Sequence, residues 1–284
     1  MARTIQEVMQ ALQARMTVQE SSETTVAINY SCNKCKDQGG FIEWREADVF
    51  GNGQYIRKEE VWVECSCVKQ KKINKLLKTS EITDEFQKMT FGNFRTEGYQ
   101  EVIKKMYDTA FQYCQAFNSI KNTRCNSIAL IGQPGAGKTH LLSAIANGMI
   151  TKLLVPVLYF PYIEGTEDLR SDFDQLATKI QRLKEVDVLF IDDLFKPVTK
   201  VVKGVRIKEP RATAWQVEKM FEVINYRYLN NKPLLISSEL SFDDMLDIDE
   251  ALCTRIFEMC SDYTVTIKQD IKLNHRLLKM REAN

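Results

Sequence analysis

Short, unbroken apolar runs alternate along most of the chain with longer stretches whose apolar residues recur three or four positions apart. Ser127 to Ile131, residues 155–160, "VDVLFI" (186–191), 233–238 and 263–267 are compact runs, the pattern of strands buried on both faces. Between them, Lys138 to Lys152 places Leu141, Leu142, Ile145 and Met149 at helical spacing, and residues 166–184, 213–229 and 242–259 read as helices too. A long amphipathic helix is expected over 98–119. Strands alternating with helices imply an α/β fold with a parallel sheet covered on both faces.

The N-terminal part follows another rhythm. A helix is expected near 4–16, followed by the polar stretch "QESSETT". Phe41, Ile42 and Trp44, then Tyr55, Ile56, Val61, Trp62 and Val63, flank "FGNGQ" (50–54), a hairpin turn signal. The basic stretch "VKQKKINKLLKTSEITDEF" (68–86) reads as a linker helix; Lys69, Lys71, Lys72 and Lys75 fit either a solvated face or a DNA contact. "FQKMTFGNF" (86–94) then brings three aromatics that could pack on a bound base or on the domain behind them. The expected organisation is an N-terminal module over 1–75, a linker over 76–95 and a large domain over 96–284.

With 284 residues there is ample material for a core. A formal charge of +1 argues against a protein held to nucleic acid by bulk charge, so any DNA contact has to come from local patches. No stretch approaches a membrane-spanning length, and the N-terminus lacks the apolar block of a signal peptide. A soluble, cytoplasmic protein is expected.

Eight cysteines divide into two groups in such a reducing compartment. Cys114, Cys125, Cys253 and Cys260 are scattered through apolar segments, as reduced core thiols would be. Cys32, Cys35, Cys65 and Cys67 form C-x-x-C and C-x-C pairs on either side of the expected hairpin, a pattern that converges on one tetrahedral zinc. Two rivals stay open: a disulfide, and a three-cysteine site whose fourth ligand is not Cys67.

The densest chemistry lies in "IALIGQPGAGKTHLLSAI" (128–145). Gly132 to Thr139 fit G-x-x-x-x-G-K-[ST], with a strand before and a helix after. Gly132, Gly135, Ala136 and Gly137 would curl the backbone so that its N–H groups face phosphate oxygens at a helix N-terminus. Lys138 would neutralise the β- and γ-phosphates of ATP, and the Thr139 hydroxyl would ligate Mg²⁺. His140 is expected in the first turn behind the loop. Two adjacent acids at the end of a buried strand need a cation, so Asp192 would hold Mg²⁺ through water and Asp193 would orient or activate the attacking water.

Taken in order, the cysteine module, "F..MTF.NF", "GQPGAGKTHLLSAIA", "VLFIDDL", "FEVINYRYLNNKPLLISSEL" and "TRIFEM" resemble the DnaC/DnaI family of bacterial and phage helicase loaders. These are AAA+ P-loop ATPases related to the initiator DnaA. The resemblance implies an N-terminal module that binds a hexameric DnaB-type replicative helicase. It also implies placement of that ring on single-stranded DNA under the control of Mg²⁺-dependent ATP hydrolysis, near the nucleoid, and self-association into an ATP-bound ring or spiral. Arg255 falls at the position of an arginine finger that reaches a neighbouring subunit's γ-phosphate, and Arg276 matches a nucleotide-contacting arginine acting in cis. Ser238 and Glu239 stand where relatives carry Thr/Ser followed by Asn. Because an ionised Glu239 cannot donate a hydrogen bond, either Ser238 senses the γ-phosphate or hydrolysis is slow.

One segment exceeds the family outline. Residues 195–212 carry Lys196, Lys200, Lys203, Arg206, Lys208 and Arg211 against a single acid. They read either as a stripe facing a DNA channel or as a solvated loop. Two other functions compete with helicase loading: a transposition-accessory ATPase of the IstB type, whose relatives generally lack a cysteine module, and an adaptor that uses ATP as a slow switch.

Overall fold

The computed structural model describes residues 30–48, 56–202 and 205–275. The expected helix at 4–16, the turn at 50–54, Lys203 and Arg276 lie outside the described residues, as do the side chains of Arg206 and Lys208. The chain divides into two compact units, Met1–Lys69 and Gln70–Asn284.

In the first unit the alternating pattern becomes an antiparallel hairpin of β1 (Gly40–Asp48) and β2 (Ile56–Glu64), in register from Gly40 opposite Glu64 to Asp48 opposite Ile56. Helix α1 (Ser66–Thr79) starts two residues after β2 ends and runs without a break through residue 75. Its lysine-rich face is solvated, while Ile73, Leu76 and Leu77 pack into the core of the second unit.

In the second unit five parallel strands form one sheet. They are β3 (Ile128–Gly132), β4 (Val157–Pro161), β5 (Val188–Asp192), β8 (Leu234–Ser238) and β9 (Thr264–Ile267), in the order β4-β5-β8-β3-β9. Alternate side chains feed two cores, as the continuous apolar runs require. Ala129, Ile131, Leu189 and Ile191 join one core. It is shared with α5 (Tyr162–Ser171), α6 (Phe173–Glu185), α7 (Ala214–Leu229), α8 (Phe242–Leu246) and α9 (Glu250–Met259). Ile128, Leu130, Val188 and Phe190 join the other. That core is covered by α1, the short α2 (Asp84–Gln87), α3 (Glu101–Ile120) and α4 (Lys138–Gly148). Each of the Leu, Ile, Val and Phe side chains among these, fully buried, contributes about 1.5–3 kcal/mol.

Two details depart from expectation. The helix expected to run to Lys152 ends at Gly148 and continues as one wide turn, Met149–Leu153, closed by Leu154 in the left-handed region. Residues 195–212 are not a loop. They fold into a second antiparallel hairpin, β6 (Pro197–Val202) with β7 (Val205–Pro210), and Lys200 is paired with Glu209 across it.

The "INYRYLNNKP" stretch finds its reason in packing. Arg227 is fully buried, and its guanidinium donates to the carbonyls of Leu183, Lys184, Val186, Asp187 and Pro233 at 2.7–3.2 Å. These carbonyls lie where α6 ends and where β5 and β8 begin. One planar, many-donor side chain thus gathers backbone carbonyls at the ends of three elements; of these, Pro233 also accepts from the Leu189 N–H.

Candidate nucleotide site and cysteine cluster

The C-terminal ends of the parallel strands open into a cleft of about 780 Å³, where an open α/β sheet places ligands. β3 delivers the glycine loop to it. Gly132 has φ +106, and a Cβ there would lie 2.0 Å from the Ile267 carbonyl oxygen, so only glycine lets β3 and β9 approach this closely. Gly137 has φ +91, and a Cβ there would run into the Phe94 ring. Gly135 also has positive φ, and Ala136 is fully buried.

Lys138 is buried and donates to the carbonyls of Gly132 (2.7 Å) and Gln133 (2.8 Å). Burial pulls its pKa down to about 8, against the opposing effect of Glu239, Asp193 and Asp192. Through these two hydrogen bonds the lysine closes the loop on itself.

Thr139 and Asp192 come together as the sequence led us to expect: the hydroxyl donates to Asp192 Oδ1 over 2.9 Å. With its proton turned to the carboxylate, the hydroxyl keeps its lone pairs for an ion, and Asp192 is placed to reach the same ion through water, an arrangement that fits Mg²⁺. Asp192 also accepts from Ser237 and, at 3.3 Å, from Tyr159. Burial raises its pKa, and the hydrogen bonds from Ser237 and Thr139 pull back against that rise.

Ser237 rather than Ser238 serves the acids, since its hydroxyl also accepts from the Asp193 N–H at 2.8 Å. Ser238, expected to sense the γ-phosphate, donates instead to the Leu194 carbonyl and accepts from the Leu240 N–H. Successive strand residues face opposite ways, and this parity assigns Ser237 to the cleft side and Ser238 to the turn. The residue after β8 that does line the cleft is Glu239.

Asp193 and Phe195 both adopt positive φ, so the chain bends sharply after β5. The bend turns Lys196 back into the cleft, where its ammonium lies 2.5 Å from Asp193 and 3.6 Å from Glu239. Nothing in the sequence marked Lys196 as different from the other basic residues of its segment.

The aromatic stretch splits its roles. Phe86 and Met89 line the cleft, fixed there by Asn147, which donates to both carbonyls. Phe91 and Phe94 pack on Tyr107 of α3. His140 lines the cleft as well; Nε2 lies 3.0 Å from both the Thr90 carbonyl and Asn93 Oδ1. Arg255 stands outside the cleft on α9, with its guanidinium over the rings of Phe221 and Tyr228.

In the first unit the Sγ atoms of Cys32, Cys35, Cys65 and Cys67 all lie within 4.8 Å of one another. Cys32 and Cys65 are 3.7 Å apart, and Cys35 and Cys67 3.4 Å. Zn–S bonds of about 2.3 Å in a tetrahedron put sulfurs roughly 3.8 Å apart, so the cluster fits that ion. All four thiols are free, at separations well beyond a disulfide bond, and Cys67 completes the set. Positive φ at Lys36, Asp37 and Gly39 forms the tight turn after the first pair. Cys114, Cys125, Cys253 and Cys260 remain separate from this cluster; Cys253 and Cys260 are buried core thiols.

Comparison with known proteins adds the following. The model of the bacterial DnaA ATPase domain matches residues 87–260. The phage-like element PBSX protein XkdC of Bacillus subtilis (strain 168) is 47% identical over 282 residues, which cover 98% of this chain and 99% of that protein. Among solved structures, the DnaC helicase loader superimposes with a TM-score of 0.51 at 20% identity, over 66% of this chain and 100% of the other. Replication initiator DnaA bound to AMPPCP and single-stranded DNA gives a TM-score of 0.51 at 20% identity, over 72% of this chain and 56% of that one. At such identities the structural likeness establishes the fold.

Proposed function

Because this chain belongs to the bacterial DnaA ATPase-domain family, we propose that it is an ATP-driven loader that places a hexameric DnaB-type helicase on single-stranded DNA. The observation that carries the reading is the presence in one chain of a Thr139–Asp192 nucleotide cleft and a four-sulfur module. A transposition-accessory ATPase of the IstB type has no evident use for the second. The solved DnaC helicase loader shares the fold, as does part of the solved replication initiator DnaA that is bound to AMPPCP and single-stranded DNA.

In this reading Gly132, Gly135, Ala136, Gly137 and Lys138 hold the phosphates of ATP. Thr139 and Asp192 hold Mg²⁺, and Asp193 orients the attacking water. His140, Phe86 and Met89 bound the nucleotide's other end, and Arg276 adds a contact in cis. Arg255, outside its own cleft, reaches the γ-phosphate of the next subunit in a ring or spiral. Cys32, Cys35, Cys65 and Cys67 hold a structural zinc in a helicase-binding module, while the stretch 76–95, expected as a linker, belongs to the ATPase unit, where Leu76, Leu77, Ile82 and Phe86 pack into its core. The protein acts in the cytoplasm, at the nucleoid. Among the described residues no helix is long and apolar enough to cross a membrane.

Co-elution with the cognate helicase on a sizing column tests the reading. It predicts a complex whose stability changes with ATP and which Cys32→Ser/Cys35→Ser abolishes. A helicase that elutes alone in every nucleotide state contradicts it. The slow-switch reading draws on one observation, the engagement of Asp193 by Lys196; turnover that stays negligible with and without single-stranded DNA would favour it.

A further inference from the structure

Glu239 poses a chemical problem. It lines the cleft at the end of β8, where a γ-phosphate-sensing side chain has to donate a hydrogen bond, and a carboxylate only accepts. With Glu85, Glu164, Asp192 and Asp193 it also makes five acidic residues lining a site meant for a polyanion. Ser238, the neighbouring donor, is committed to Leu194 and Leu240.

Lys196 answers both difficulties. Among the described residues lining the cleft, the lysines are Lys138 and Lys196, and Lys138 belongs to the glycine loop. The Lys196 ammonium lies between Asp193 and Glu239, and its side chain is 36% exposed toward the open cleft. Burial opposes its charge, but Asp193 and Glu239 outweigh burial and the net shift of its pKa is upward, which keeps it protonated at neutral pH. An ammonium carries three N–H donors. One is donated to Asp193, while Glu239 at 3.6 Å attracts the ammonium by charge alone, so donors remain for an incoming oxygen.

Resting on the reading of the cleft as an ATP site, we propose that Lys196 is the side chain that recognises the terminal phosphate of ATP, with Glu239 and Asp193 holding it in place. Glu239 then takes the position of a phosphate donor without touching phosphate; it carries the donor instead. The bend at Asp193 and Phe195 is what brings a residue only three positions beyond Asp193 back to the acids. ADP lacks the group Lys196 meets, so the contact separates ATP from ADP rather than strengthening both.

Calorimetric titration of the full-length protein with MgATP and MgADP tests this. Lys196→Met should weaken ATP about tenfold or more, as loss of a charge-assisted hydrogen bond does, while ADP stays within about twofold. Lys196→Arg, which keeps the charge and donors, should retain most of the discrimination. Glu239→Gln should shift ATP alone, by a smaller factor, because the lysine stays but is less firmly placed. Equal weakening of ATP and ADP in Lys196→Met, or no change in either, overturns the proposal. If Lys196→Met does not fold, the ATP-to-ADP ratio of Glu239→Gln decides by the same criterion. Lys138→Ala is the separate control: if it binds both nucleotides like the wild type, the ATP-site reading itself fails, whatever Lys196 does.

Discussion

Thr139 and Asp192 are 53 positions apart in the chain, yet the threonine hydroxyl reaches the carboxylate over 2.9 Å. The contact joins the first residue pair of α4 to the last residue of β5 across the intervening strand β8. It would leave the hydroxyl's lone pairs for a divalent ion that Asp192 reaches through water. Thr139→Ala should therefore weaken MgATP binding by roughly tenfold while leaving metal-free ATP nearly unchanged. Titrations with Mg²⁺ and with EDTA check this; equal losses in both would place Thr139 outside the metal site.

Lys138 gives a pH prediction. In the nucleotide-free protein its pKa is pulled down to about 8 by burial, although Glu239, Asp193 and Asp192 partly offset this and Lys196 adds to it. Phosphate binding favours the charged form, so the bound-state pKa lies higher. Affinity for ATP should be steady below about pH 8 and fall as pH rises above it, by up to tenfold per unit until the bound-state pKa is reached. At pH 9 binding should take up protons, which calorimetry in buffers of different ionisation enthalpy measures. A flat profile to pH 9.5 would contradict it.

Arg227 is a stability prediction. Replacing it by Met removes the side-chain donor from five carbonyls around a fully buried position, of which Pro233 keeps the Leu189 N–H. The expected cost is about 3 kcal/mol or more in urea unfolding. Lys should recover part of it, since an ammonium has fewer donors and no plane. A loss below about 1 kcal/mol would mean that water fills the place.

Much of this was legible in the chain. Continuous apolar runs placed all five parallel strands within two residues of their ends, because burial on both faces leaves no other reading. The glycine loop and the Asp192–Asp193 pair were legible because each needs fixed residue types at fixed spacing. Lys196 was not, because its role depends on left-handed backbone at Asp193 and Phe195, which neither residue type announces. Ser237 was passed over because Ser238 was chosen by its place in the family pattern, which does not say which face of the strand a side chain takes. The β6–β7 hairpin was hidden by its own charge. Two runs rich in Val, Ile and Thr flank Lys203 and Gly204, a period-2 pattern that six basic residues obscured. Arg227 stood in plain sight inside "INYRYLNNKP", but a helix pattern cannot show that its side chain meets the ends of other elements.

The sulfur cluster predicts composition. Purified protein should carry close to one zinc per chain. Cys32→Ser/Cys35→Ser should lose the metal and, with it, protease resistance of residues 30–68, because a metal held by these four sulfurs would supply folding energy. Protein that is metal-free but equally resistant would show that the four thiols pack without an ion.

The central claim is that ATP chemistry at this cleft places a ring on DNA that has no free end. The most direct measurement is helicase unwinding on a covalently closed circular single strand carrying an annealed oligonucleotide. Helicase alone should release little of the oligonucleotide, because a closed ring cannot thread a closed circle. Addition of this protein with ATP should raise the rate by about an order of magnitude, and Lys138→Ala should abolish that gain. Unwinding that is the same with and without the protein, or that the Lys138→Ala variant supports as well as the wild type, would contradict the account.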